Sequence, residues 1–119
     1  MKFGHIGIKV TDKENTLDFY ENILECKVLK DYKYPDKRLV FLDANGTIIE
    51  LIYKDENEVK DPGPIEHIAF KVDSLEEKMK VLDKFNIKYS EPRIVGKAKI
   101  IFFEGPNKEE FEFVQRIKE

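Results

Sequence analysis

The sequence predicts an α+β fold built from two tandem βαβββ modules that form a curved mixed sheet with a cleft. Three observations carry this. The chain's only two histidines fall in near-copied phrases, "GHIGIKV" at 4–10 and "EHIAFKV" at 66–72. Sliding the chain by 62 positions without a gap sets His5 on His67, Ile6 on Ile68, Lys9 on Lys71, Val10 on Val72, Phe41 on Phe103 and Glu50 on Glu112. Each half then runs strand, helix and three short strands, and an internal repeat of this kind takes precedence over local propensity in assigning a fold.

In the first half, "HIGIKV" alternates: Ile6, Ile8 and Val10 face one way and His5, Gly7 and Lys9 the other, the period of a half-buried strand. A helix follows, capped by Thr11 or Asp12, with Leu17, Tyr20 and Leu24 on one stripe. "CKVLKDYKY", "RLVFLDA" and "TIIELIY" read as three strands, the last two joined by the turn residues "DANG". "KDPGPIE", 60–66, is the connection between halves, because Pro-Gly-Pro continues neither helix nor strand. In the second half "EHIAFKV" repeats the first strand, and Asp73 or Ser74 opens a helix with Glu77 placed for a capping box. Leu75, Met79, Leu82 and Phe85 supply its stripe; "IKYSEP", "AKIIFFEG" and "EEFEFVQ" complete the strands, with "EGPN" as the last turn. The whole, 1–119, is one domain made of half-modules 1–60 and 65–119, the size of a single compact unit.

Composition narrows the partners. At 41% apolar and 38% charged residues the chain has too much aliphatic and aromatic surface for disorder. Its 21 basic residues are interspersed among 24 acidic ones for a net charge of −3, which excludes a phosphate-tracking stripe and with it nucleic acid. No apolar run approaches the roughly 18 residues of a membrane span, and "MKFGHIGIKV" lacks a signal-peptide apolar region, so the expectation is no membrane partner and a cytoplasmic location. Cys26, the single cysteine, forms no internal disulfide and reads as a small buried residue.

Strand alternation selects the residues that matter. One helix covers one face of each four-stranded sheet, leaving the other free to line a concavity. In "TIIELIY" Glu50 points away from Ile49 and Leu51, and in "EEFEFVQ" Glu112 points away from Phe111 and Phe113. His5 and His67 likewise leave the core side, so both histidines and both glutamates can share the uncovered surface. A duplicated half explains matching strands, but strand packing has no need of imidazole. Two neutral imidazoles and two carboxylates suit a borderline divalent ion, Zn, Ni, Co, Mn or Fe, with positions left for water or substrate, which makes the cleft a metal-binding one. Lys9 and Lys71 share that face and could meet an anionic group, while Glu104 and Glu110 have proximity alone.

"HIGIKVTDKENTLDFYENIL", "GTIIELI", "EHIAFKVDSLEE" and "FFEGPNKEEFEFVQ" resemble the vicinal oxygen chelate superfamily, which contains glyoxalase I, methylmalonyl-CoA epimerase, extradiol dioxygenases and the fosfomycin and bleomycin resistance proteins. The resemblance spans essentially the whole chain. It places His5, Glu50, His67 and Glu112 on the four metal positions of glyoxalase I (lactoylglutathione lyase). The implied chemistry is metal binding of vicinal substrate oxygens, stabilisation of an enediolate, and proton transfer by a ligand glutamate, Glu112 first and Glu50 second. It also implies a small-molecule substrate, such as a 2-oxoaldehyde–thiol adduct, and a homodimer. An epimerase acting on an acyl-CoA and a non-catalytic antibiotic-binding protein are the alternatives in the same superfamily. Lys9 stands where the bacterial glyoxalase carries arginine and Lys54 where it carries asparagine, departures that point away from glutathione itself. Glu50 stands where the epimerase commonly has glutamine.

Overall fold

A computed structural model describes residues 1–11, 14–54 and 64–118, and in it the chain divides into two units, Met1–Lys60 and Asp61–Glu119. The first contains β1 (His5–Val10), α1 (Glu14–Asn22), β2 (Lys27–Lys33), β3 (Lys37–Ala44) and β4 (Thr47–Lys54). The second contains β5 (Ile68–Lys71), α2 (Leu75–Lys84), β6 (Arg93–Val95), β7 (Ala98–Glu104) and β8 (Glu110–Arg116). The expected βαβββ order thus occurs twice. Asp12 and the first part of the 60–66 connection, through residue 63, lie outside the described residues.

The strands form two four-stranded mixed sheets, ordered β1-β4-β3-β2 and β5-β8-β7-β6. The first strand of each unit lies parallel beside the last, and the remaining neighbours are antiparallel. This order has a direct consequence for the histidine phrases: each becomes the immediate neighbour of the strand that carries the matching glutamate.

Core and solvent faces alternate as the pattern requires. In the first unit Val10, Val40, Leu42, Ile49, Leu51 and Tyr53 are buried from the sheet, and Thr16, Phe19, Tyr20, Ile23 and Leu24 from α1 and its end. Leu17, expected on the helix stripe, is only half-buried, because the stripe that closes at helical spacing runs through Thr16, Phe19, Tyr20 and Ile23. In the second unit Ile101, Phe103, Phe111 and Phe113 are buried with Leu75 and Leu82. Each such side chain contributes about 1.5–3 kcal/mol when fully buried.

Helix α2 starts at the expected cap. The Ser74 hydroxyl accepts from the Glu77 amide at 3.1 Å, and the Leu75 amide donates to the Gln115 side chain on β8 at 2.6 Å, so two otherwise orphaned donors are satisfied. Its end departs from expectation. Phe85 occupies the C-cap and is exposed, since Asn86 turns left-handed at φ 59° and Ile87 donates back to the Leu82 carbonyl at 2.9 Å. The stripe therefore stops one turn early, at Leu82.

The turns explain a second departure. Ala44 pairs with Thr47 around Asn45 (φ 55°) and Gly46 (φ 106°), a two-residue hairpin turn whose positive φ angles suit Asn-Gly. In the second unit the last pair is Glu104 with Glu110, and Gly105–Glu109 form a longer loop closed by the Gly105 amide on the Glu109 carbonyl at 2.7 Å. That loop inserts one residue relative to the first unit. Consequently Phe102, not Phe103, occupies the position of Phe41: Phe41 lies opposite Glu50 and Phe102 opposite Glu112.

Two strand boundaries also shift. β5 begins at Ile68, so His67 stands just before the ladder instead of inside it. "IKYSEP" is not a continuous strand: Tyr89 makes one bridge to Phe103 and Ser90 donates to the Phe102 carbonyl, and regular pairing resumes at Arg93, beyond Pro92. Among the described residues no helix is long and apolar enough to cross a membrane.

Candidate metal centre

In the first unit, parallel register places His5 opposite Ile48 and Gly7 opposite Glu50. His5 and Glu50 are thus diagonal neighbours on the face away from the helix. Their side chains meet across Gly7, with His5 Nε2 3.4 Å from Glu50 Oε1. Gly7 makes room for this: a Cβ there would lie 3.5 Å from Glu50 Oε1 and 3.2 Å from Ile52 Cδ1, so anything beyond one carbon would enter the carboxylate's space. Phe41 flanks the pair, its ring edge-on to His5 at 5.8 Å between centroids.

The second unit repeats the arrangement. Ala69 lies opposite Glu112, His67 Nε2 stands 3.1 Å from Glu112 Oε1, and Phe102 is edge-on to His67 at 5.5 Å. Both carboxylates are largely shielded, at 16% and 13% side-chain exposure for Glu50 and Glu112, whereas the imidazoles remain accessible at 50% and 32%. One difference separates the units. His67 Nδ1 lies 3.1 Å from the Glu66 carboxylate, giving His67 a carboxylate on each ring nitrogen. His5 follows Gly4, which has no side chain to offer.

The donor chemistry fits a divalent ion. Two donors each about 2.1 Å from one ion, at angles between octahedral and tetrahedral, stand about 3.0–3.4 Å apart. Both Nε2 to Oε1 separations, 3.4 and 3.1 Å, fall in this interval. Each pair alone supplies two ligands. Among the described residues no group of three or more His, Cys, Asp or Glu side chains is gathered around one point. Thiolate ligation is closed off, because Cys26 is buried and its thiol is pushed up to about 11 by desolvation, then by the nearby Asp43 and Glu21 charges.

Of the other candidates, Lys9 is exposed and shares the His5 face; Lys54 lies directly opposite Lys37, an unfavourable pairing of like charges. Lys71 is exposed on β5, and Glu104 and Glu110 oppose each other as the last pair of their hairpin. Gly7 and Glu66 border the two pairs but are not singled out by the strand pattern. Gly7 could have been found from the requirement that a carboxylate reach diagonally past it, but Glu66 could not, because neighbours on a strand are expected on opposite faces.

A family model described as the Glyoxalase/Bleomycin resistance protein/Dioxygenase superfamily matches residues 2–113. The lactoylglutathione lyase of Neisseria meningitidis is 30% identical over 126 aligned positions, covering 98% of this chain and 91% of that protein. Among solved structures, a glyoxalase family protein from Enterococcus faecalis superposes with TM-score 0.83 at 23% identity, over 95% of this chain and 96% of that one. The genomically encoded fosfomycin resistance protein FosX of Listeria monocytogenes, complexed with Mn(II) and sulfate, superposes with TM-score 0.80 at 18% identity, over 96% and 91%.

Proposed function

Because the chain belongs to the glyoxalase/bleomycin resistance protein/dioxygenase superfamily, we propose that His5, Glu50, His67 and Glu112 serve as divalent-metal ligands, at a stoichiometry of one ion per chain, in a lyase or isomerase of the glyoxalase I type. The carrying observation is that each unit holds an imidazole and a carboxylate at ligand spacing, 3.4 and 3.1 Å, on the face its helix leaves open. When bound, the ion, one of Zn, Ni, Co, Mn or Fe, supplies Lewis acidity to two neighbouring substrate oxygens.

The residues of the chain do the rest. His5 and His67 offer Nε2 as ligand atoms, and Phe41 and Phe102 hold the two rings from the side. Glu112 takes a proton from the substrate carbon next to the oxygens and returns it to the adjacent carbon. Glu112 is preferred over Glu50 because His67 keeps the Glu66 carboxylate at Nδ1 when Glu112 is engaged with the proton, whereas His5 has no such second carboxylate in its pair. The substrate is a small molecule with vicinal oxygens, such as a 2-oxoaldehyde–thiol adduct, and the protein works as a homodimer.

Turnover of hemithioacetals made from a 2-oxoaldehyde and a series of low-mass thiols, glutathione among them, tests this reading. Conversion of at least one adduct, lost on chelation and restored by a divalent ion, is the expected result. Failure with every adduct, together with deuterium uptake at the α-carbon of methylmalonyl-CoA, would move the protein to the epimerase class.

A further inference from the structure

His67 is held differently from its counterpart, and the difference lies in residues that take no direct part in the proposed metal set. A ligating imidazole must present a lone pair on one nitrogen, and the hydrogen bond made by the other nitrogen decides which. At His67 the Nδ1 side faces Glu66 Oε1 at 3.1 Å and the Nε2 side faces Glu112 Oε1 at 3.1 Å, with the Phe102 ring nearly perpendicular to the imidazole. Adjacent residues in a regular strand point to opposite faces. Here the ladder starts only at Ile68, opposite Phe111, which leaves residue 66 outside the pleat and able to fold its side chain onto the next residue's ring. The corresponding site before His5 is Gly4.

We propose that Glu66 is a positioning residue: its carboxylate accepts the Nδ1 proton of His67, fixes the tautomer that presents Nε2 to the ion, and makes His67 the firmer of the two imidazole ligands. The proposal rests on the reading of His67 as a ligand. Glu66 lies 85% exposed and meets the His67 ring at Nδ1, so its effect runs through that ring. Loss of an outer partner of this kind typically weakens metal binding about 10–100-fold.

The experiment uses the full chain, freed of any histidine tag, titrated with Zn(II) against a chromophoric chelator and followed by ¹H–¹⁵N NMR of the zinc-loaded histidines. Glu66→Ala should weaken zinc binding by about 10-fold or more and lose the protected Nδ1 proton of His67, leaving the His5 signals in place. Glu66→Gln, which removes the charge but keeps an acceptor oxygen, should recover most of the affinity and the proton. Glu110→Gln removes an exposed charge two residues from Glu112 without touching His67, and should bind zinc as the parent does. Equal affinity and an equally protected Nδ1 proton in Glu66→Ala would overturn the proposal while leaving the metal site standing. A parent protein that binds no zinc would overturn the ligand reading first and this proposal with it.

Discussion

Replacing Gly7 by valine should uncouple His5 from Glu50 without disturbing the fold. A Cβ at position 7 lies 3.5 Å from Glu50 Oε1, ordinary contact, and 3.2 Å from Ile52 Cδ1, the movable end of a flexible side chain. Alanine therefore fits with a small adjustment. Valine adds two methyls about 1.5 Å beyond Cβ, and the branch on the Glu50 side would stand well inside contact distance of the oxygen. The carboxylate must then rotate away from His5 Nε2, opening the 3.4 Å pair. Because a ligand itself is displaced, metal affinity should fall by at least the roughly 10–100-fold seen when an outer partner is removed. Gly7→Ala should stay within about threefold of the parent, under about 1 kcal/mol. Valine suits a strand, so thermal unfolding of the metal-free protein should hardly change. Chelator competition on all three proteins reads the effect. A valine variant that binds metal as tightly as the alanine variant would refute the claim that Gly7 makes room for a ligand pair.

Three further outcomes are expected. Glu112→Gln, assayed with enough divalent ion to refill a site weakened by the lost charge, should lose about 10²-fold or more in turnover of whichever adduct the parent converts, measured under single-turnover conditions; full turnover would assign the base elsewhere. Cys26, buried and with its thiol pushed up to about 11, should stay silent to a thiol reagent near neutral pH in the folded protein and react fully in urea, whereas rapid native labelling would contradict the burial. The Arg38 guanidinium bonds Asp31 at 2.8 and 3.0 Å and holds its carboxyl below the usual range. A depressed folded-state value gives stability that is present above the unfolded value and lost as pH falls through the folded one. Asp31→Asn should thus cost at most about 1 kcal/mol near pH 7, as befits a partly exposed pair, and progressively less as pH falls through the lowered folded-state value; urea midpoints measured from neutral to acid pH decide it.

The fold was legible because a duplication writes the same strand and helix periods twice. His5, Glu50, His67 and Glu112 emerged from the 62-residue repeat read together with alternation, since Ile49, Leu51, Phe111 and Phe113 mark the core face and put the glutamates on the other. What escaped depends on pairing register and local backbone. Phe102, and not the Phe103 that the shift aligns with Phe41, takes Phe41's place because the Gly105–Glu109 loop carries one residue more than its counterpart, which a gapless shift cannot register. Phe85 looked like a stripe residue until Asn86 ended the helix behind it. Glu66 was hidden by the rule that finds strands, since a residue pointing at its own neighbour violates alternation. Pairing of each histidine with its glutamate required knowing that the first and last strands of a unit lie side by side.

Metal ligation by His5, Glu50, His67 and Glu112 underlies every functional step proposed above. Elemental analysis and equilibrium binding on protein purified without a histidine tag, in parent, His5→Ala and His67→Ala forms, test it most directly. The parent should hold about one divalent ion per chain, released by chelators and rebound, with both variants strongly weakened. A parent with no stoichiometric metal and no affinity for Zn, Ni, Co, Mn or Fe would contradict it.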